Sequence, residues 1–211
     1  MPRVPTDTEA PRRRTKAERS EETRALLVAT ARRLFADRGY AAVGTEEIVR
    51  DAGVTRGALY HHFGGKKDLL EAVYCQIEEE LTQEIGDLVL REAAESPLAA
   101  METGARAFIE ACSRPEVERI VLLDSPAVLG WDRWREIAAT YGLGLIEASL
   151  AAAMEAGEIE RRPVRPLAHV LMGAMDEAAM LAARSQDPAD REEVGDLLAW
   201  ILTSLAGPGS R

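Results

Sequence analysis

Apolar residues recur every three or four positions almost from one end of this chain to the other, and no stretch alternates with a period of two. Leu27, Ala31, Leu34 and Phe35 open the pattern, and Leu69, Leu70, Val73, Ile77, Leu81, Ile85 and Leu88 form one long stripe. Leu167, Val170, Leu171, Ala174, Met175, Ala178, Leu181 and Ala182 form another, followed by Val194, Leu197, Leu198, Ile201, Leu202 and Leu205. That spacing gathers each set on one helix face, and a one-faced helix buries its stripe against another helix when no strand is available. The chain is expected to be all-α.

Glycine and proline divide the pattern. A helix is expected from Ser20, with Ser20, Glu21, Glu22 and Thr23 as N-terminal capping chemistry and Gly39 as its stop. Two short helices follow, 45–52 with Thr45 as cap and 56–62 with Thr55 as cap, then a long one over 66–91. Further helices are expected near 97–113, 115–123, 131–157, 164–186 and 189–206, with prolines at or near their starts. Ser125 is read as a cap for a short turn that begins at Pro126.

With 46% apolar and 29% charged residues among 211, the chain can bury a full core, which excludes collagen-like, disulfide-scaffold and wholly disordered classes. No run of about 18 apolar residues is present, so no membrane span is expected. The polar, arginine-rich start is not a secretory signal. Cys75 and Cys112 form no CxxC pair and read as small buried hydrophobes in a reducing, cytoplasmic setting. The net charge of −10 conceals an asymmetry: residues 1–67 hold 14 Lys/Arg against 9 Asp/Glu, and residues 68–211 hold 12 against 27. A basic third on an acidic body points to a polyanion held at one end. The expected organisation is a disordered basic arm over 1–19, a basic unit over 20–67 that would hold the polyanion, and an acidic helical unit over 68–211. Arg12, Arg13, Arg14 and Lys16 of the arm either reach DNA or form a neutral tail.

The 45–62 region carries the chemistry. A short helix, a tight turn through Gly53-Val54 and a second short helix have the spacing of a helix-turn-helix. Ile48, Ala52, Val54, Leu59 and Phe63 can lock the pair, leaving Arg56, Gly57, Ala58, Tyr60, His61 and His62 outward. Arg56 can donate two hydrogen bonds to a guanine, the Ala58 methyl can meet a thymine methyl, and small residues let the helix approach base edges. Lys66 and Lys67 open the next helix and suit phosphate. His61 and His62, adjacent on a helix, diverge too far to chelate together, and no metal or cofactor is expected. His169 reads as an ordinary helix histidine.

The string from Thr45 to Leu70, and above all Leu59-Tyr60-x-x-Phe63 followed by Lys66-Lys67-Asp68-Leu69-Leu70, resembles the DNA-binding domain of the tetracycline-repressor (TetR) family. The resemblance covers about a quarter of the chain. It implies a nine-helix homodimeric regulator, usually a repressor released from its double-stranded DNA operator by a small molecule. By position it implies phosphate contacts from Thr45, Thr55, Tyr60 and Lys66, base contacts from Arg56, Gly57, Ala58 and His61, and added charge from Lys67. Gly44 stands where many members carry a hydroxyl or small residue.

Beyond the motif, Met101, Phe108, Leu122, Trp134, Tyr141 and Met175 are candidates to wall an apolar effector pocket, since Trp131, Trp134 and Tyr141 concentrate scarce aromatics. A single helix-turn-helix reads too few base pairs, so a two-fold dimer is expected. Ala168, Met172, Ala179, Met180 and Ala183, with Leu198, Ile201 and Leu205, are the candidate interface for a four-helix bundle. Effector binding would tilt the 66–91 helix and change the spacing of the two recognition helices. No GxSxG, P-loop, GxGxxG, HExxH or Cys–His pairing supports an enzyme. The competing class is a helical carrier or interaction protein without operator binding, which a gel shift on DNA from its own promoter region separates.

Overall fold

The computed structural model describes residues 15–92, 95–185 and 187–206. Among them the chain forms nine helices and no strand, with one isolated bridge between Ile159 and Ala206. They are α1 (Lys16–Arg38), α2 (Thr45–Asp51), α3 (Arg56–His62), α4 (Lys66–Glu92), α5 (Pro97–Cys112), a composite α6, α7 (Trp131–Glu155), α8 (Val164–Arg184) and α9 (Pro188–Thr203). The all-α reading holds, with corrections at helix starts and within α6.

α1 starts four residues before the expected Ser20. Thr15 accepts a hydrogen bond from the Glu18 N–H at 3.2 Å, and Glu18 accepts one from the Thr15 N–H at 2.7 Å, a complete capping box. Thr23, three residues after Ser20, lacks the reach of a glutamate and turns its hydroxyl to the Arg19 carbonyl at 2.8 Å, so the helix begins at the better signal. Lys16 is therefore helical; Arg12, Arg13 and Arg14 lie outside the described residues. At α2 the N-cap is Gly44, with no side-chain cap, and Thr45 is the first helical residue. Thr55 caps α3 as expected, accepting from the Ala58 N–H at 3.1 Å.

The α2–α3 turn is a Schellman motif: the Gly53 N–H donates to the Arg50 carbonyl at 3.1 Å and the Val54 N–H to the Val49 carbonyl at 3.0 Å. Gly53 sits at φ 66°, a conformation that costs a side-chain-bearing residue energy.

α6 runs through Pro115–Val117, a π-helical turn Glu118–Asp124, and Ser125–Leu129. Pro126 accounts for the wide turn. Its ring would clash with the Leu122 carbonyl in α register, and it has no N–H for a wider one. The Ser125 N–H reaches back to the Ile120 carbonyl, and the Val121 carbonyl is satisfied instead by the Trp134 indole N–H at 2.9 Å. Ser125 is thus a fully buried mid-helix residue whose hydroxyl has no hydrogen-bond partner, not a cap.

One core runs from Leu27, Phe35, Leu59 and Leu70 through Tyr74, Ile120 and Trp134 to Met180 and Leu198, so α4 and α6 fuse the N-terminal helices to the body. A second lies around Leu150, Ala168, Met172 and Leu202. Contrary to the expectation from apolar runs, α7 is long and apolar enough by length and composition to cross a membrane. In this fold it packs on α4, α5 and α8.

Candidate nucleic-acid interface and effector cavity

α3 is anchored by Leu59, fully buried, and by Phe63 just beyond its end, while Arg56, Gly57, Tyr60 and His61 share the exposed side. Ala58 and His62 are half-buried, and the His62 ring packs near Phe63 at 6.4 Å. Arg56 is engaged within the protein: its guanidinium meets the Glu46 carboxylate at 2.7 Å and lies 5.5 Å from the Tyr60 ring centroid. Both partners of the ion pair are largely in solvent, so it is a weak tether. Glu46, one helix earlier, is the member of this surface that the sequence reading passed over as a first-turn acid. Thr45 is half-buried at the start of α2; Thr55 and Lys67 are exposed.

Lys66 departs most from its expected role. Its ammonium donates to the Tyr40 carbonyl at 2.9 Å and the Val43 carbonyl at 2.8 Å, and sits 3.9 Å from the Tyr40 ring centroid. Partial burial lowers its proton affinity. Two of its three N–H groups are spent on the α1–α2 loop, so it is first a clamp. The other side of that loop is held from the body: the Tyr40 N–H donates to Asp124 at 2.7 Å, at the end of the π turn. Nearby, Arg32 of α1 grips Glu116 of α6 with two bonds of 2.7 and 3.0 Å and Glu80 of α4 at 2.7 Å.

Within the body α4, α5, α6, α7, α8 and α9 line a partly open cavity of about 130 Å³. Of the six residues expected to wall an effector pocket, Met101, Phe108, Leu122, Trp134 and Met175 line this cavity. Tyr141 does not; it is half-buried beside Cys75. Met172, Leu198 and Ile201, expected at a dimer interface, line the cavity instead. The walls are mostly apolar, and among the described residues no lysine, arginine or histidine lines them. Their ionisable groups are Asp176, paired with Arg135, and Glu78, which the sequence reading missed inside the acidic run Glu78-Glu79-Glu80. Its spacing from Tyr74, Leu81 and Ile85 is helical and was the available signal. Burial pushes the Glu78 carboxyl up to about 7.

The expected interface residues are mostly interior. Ala168, Met172, Ala179, Met180 and Leu198 are buried, and Ala183, Ile201 and Leu205 half-buried, because the small-residue stripe of α8 faces its own protomer. The outward apolar residues are Val170 at 67% exposure and Leu181 at 57% on α8, and Leu197 at 55% and Trp200 at 65% on α9. Leu181, expected in the core, has exchanged places with Met180.

Two family models match: "Bacterial regulatory proteins, tetR family" over residues 27–73, and "Tetracyclin repressor-like, C-terminal domain" over 98–205. A crystal structure of a TetR-family transcriptional regulator from Pectobacterium atrosepticum is 35% identical, with a TM-score of 0.79, covering 92% of this chain and 98% of that one. RolR, solved with resorcinol, shares the fold at 18% identity and a TM-score of 0.74, covering 92% of each chain. Among curated relatives, the transposon Tn10 TetC protein of Escherichia coli is 27% identical over 83% of this chain and 87% of its own. The HTH-type transcriptional regulator TtgR of Pseudomonas putida is 45% identical over 67 residues, 32% of this chain and 31% of its own.

Proposed function

This chain belongs to the tetracycline-repressor family of DNA-binding transcriptional regulators, and from that premise we propose that it is a cytoplasmic repressor, without catalytic activity, that binds a near-palindromic operator as a homodimer and is released by a small, largely apolar effector. The observation that carries this reading is the joining of two features in one core: an exposed recognition helix with Arg56, Tyr60 and His61, and an apolar cavity whose walls belong to the helices that hold it. α4 starts at the Lys66 clamp and lines the cavity farther along; α6 lines it with Val121 and Leu122 and reaches the Tyr40 loop through Asp124. Filling the cavity therefore bears on both supports of the recognition helix. Its size suits a single-ring molecule, being close to the roughly 150 Å³ of an apolar cavity that holds benzene.

The outward residues Val170, Leu181, Leu197 and Trp200 support dimerisation through α8 and α9, since exposed large apolar side chains grouped on two adjacent helices favour a partner. Phosphate contacts are assigned to Thr45, Thr55, Tyr60 and Lys67, with Lys66 contributing its remaining N–H, and base contacts to Arg56, Gly57, Ala58 and His61. A fluorescence-anisotropy titration of DNA from the protein's own promoter region tests the reading. Nanomolar, salt-sensitive binding that outcompetes bulk DNA is expected. Binding no tighter than to random DNA would favour a carrier without operator function.

A further inference from the structure

We propose that Glu78 is the polar anchor of the cavity and that the effector is a single-ring apolar molecule presenting a hydrogen-bond donor, not a carboxylate. This rests on the cavity being the effector site, as argued above. Glu78 projects from the middle of α4, half-buried, and lines the cavity.

Of the other polar groups there, Asp176 and Ser149 are already engaged, and Thr82 offers a hydroxyl, a weaker acceptor than a carboxylate. Asp176 is held by Arg135, and the Ser149 hydroxyl donates to the Leu145 carbonyl at 2.9 Å. The Tyr74 hydroxyl, one turn before Glu78, has two acceptors in reach, the Trp134 carbonyl at 3.2 Å and the Glu78 carboxyl. Groups that face Glu78 from the surrounding helices are Tyr74 and Cys75 on α4, Cys112 on α5 and Tyr141 on α7, all neutral at pH 7. Among the described residues no cation pairs with the carboxyl; burial raises its proton affinity, and the hydrogen bond with the Tyr74 hydroxyl only partly opposes that rise. A buried carboxyl without a basic partner is costly, and a ligand that brings a donor recovers that cost. A carboxylate ligand would instead meet a second acid and no base. The cavity therefore selects by charge as well as by size.

The test uses four ring compounds of similar size, toluene, phenol, benzylamine and benzoate, titrated calorimetrically into the full-length protein at pH 7. The same series is repeated on Glu78→Leu, which keeps the volume and removes the carboxyl. Wild type should bind phenol or benzylamine at least tenfold more tightly than toluene and should bind benzoate most weakly. In Glu78→Leu that preference should shrink to within about threefold while toluene binding persists, which also shows that the variant is folded. Phenol stronger than benzylamine identifies a neutral donor, and the reverse a cationic one; either supports the anchor. Equal binding of toluene, phenol and benzylamine by the wild type, preferred binding of benzoate, or a preference unchanged in Glu78→Leu would overturn the anchor while leaving the cavity as a ligand site. Absence of binding by all four would overturn the cavity reading itself, and the anchor with it.

Discussion

Arg56 must leave Glu46 to reach a base, so its contribution to operator affinity is a difference between two partners. Arg56→Ala should weaken specific binding by about 1–3 kcal/mol and relax preference at one position in each half-site, measured by anisotropy on a panel of singly substituted operators. A uniform loss across the panel would make Arg56 a phosphate contact. Glu78 sets a second expectation. Its folded proton affinity lies above that of an unfolded glutamate, so its protonated form favours folding. That advantage is full below the unfolded value of 4.5 and is lost as pH rises toward about 7. Thermal unfolding should show the wild type losing stability from pH 5 to 8 by more than Glu78→Gln does, by up to roughly 3 kcal/mol. Parallel pH profiles would show that Glu78 is solvated. At this scale the sequence carried the fold of α2 and α3 well, because Leu59, Phe63 and Gly53 impose their roles locally. It carried Lys66 and Glu78 poorly, because both depend on which distant carbonyls or walls surround them.

Helices were legible wherever a stripe and a breaker coincided: α3, α4 and α5 match their expected bounds closely. α6 was not, since the π turn follows from Pro126 only once Trp134 is known to supply a donor to the Val121 carbonyl. The orientation of α8 was also hidden. Periodicity shows that a helix has two apolar stripes but not which one a neighbouring helix covers, and here the small-residue stripe turned inward. The outward face of α8 and α9 therefore moves the dimer test to exposed residues. Trp200→Glu with Leu181→Glu should give a monomer at micromolar concentration in analytical ultracentrifugation, with far-ultraviolet dichroism unchanged because neither side chain is in the core. A double variant that sediments as a dimer would place the interface elsewhere.

Across the whole molecule, the long helix α4, about 40 Å from end to end, is supported at its DNA end by the Tyr40 loop. That loop is held by Lys66 on one side and Asp124 on the other. A charge-assisted bond of this kind contributes about 1.5–3 kcal/mol. Asp124→Ala should accordingly speed amide exchange at Tyr40 and Val43 by tenfold or more while leaving α8 and α9 unchanged; a pattern identical to wild type would show that the body does not hold the loop. α9 offers a further consequence. It is a partition one helix thick, with Leu198, Ile201 and Leu202 toward the cavity and Leu197 and Trp200 toward the outside. Two protomers packed on that face would stand their cavities back to back, with only this wall and its symmetry mate between them. A molecule entering one cavity then repacks a partition shared with the other, and the two occupancies cease to be independent. Dose–response curves for release would depart from a simple hyperbola, and a mixed dimer with one Glu78→Leu subunit would answer at a dose belonging to neither parent.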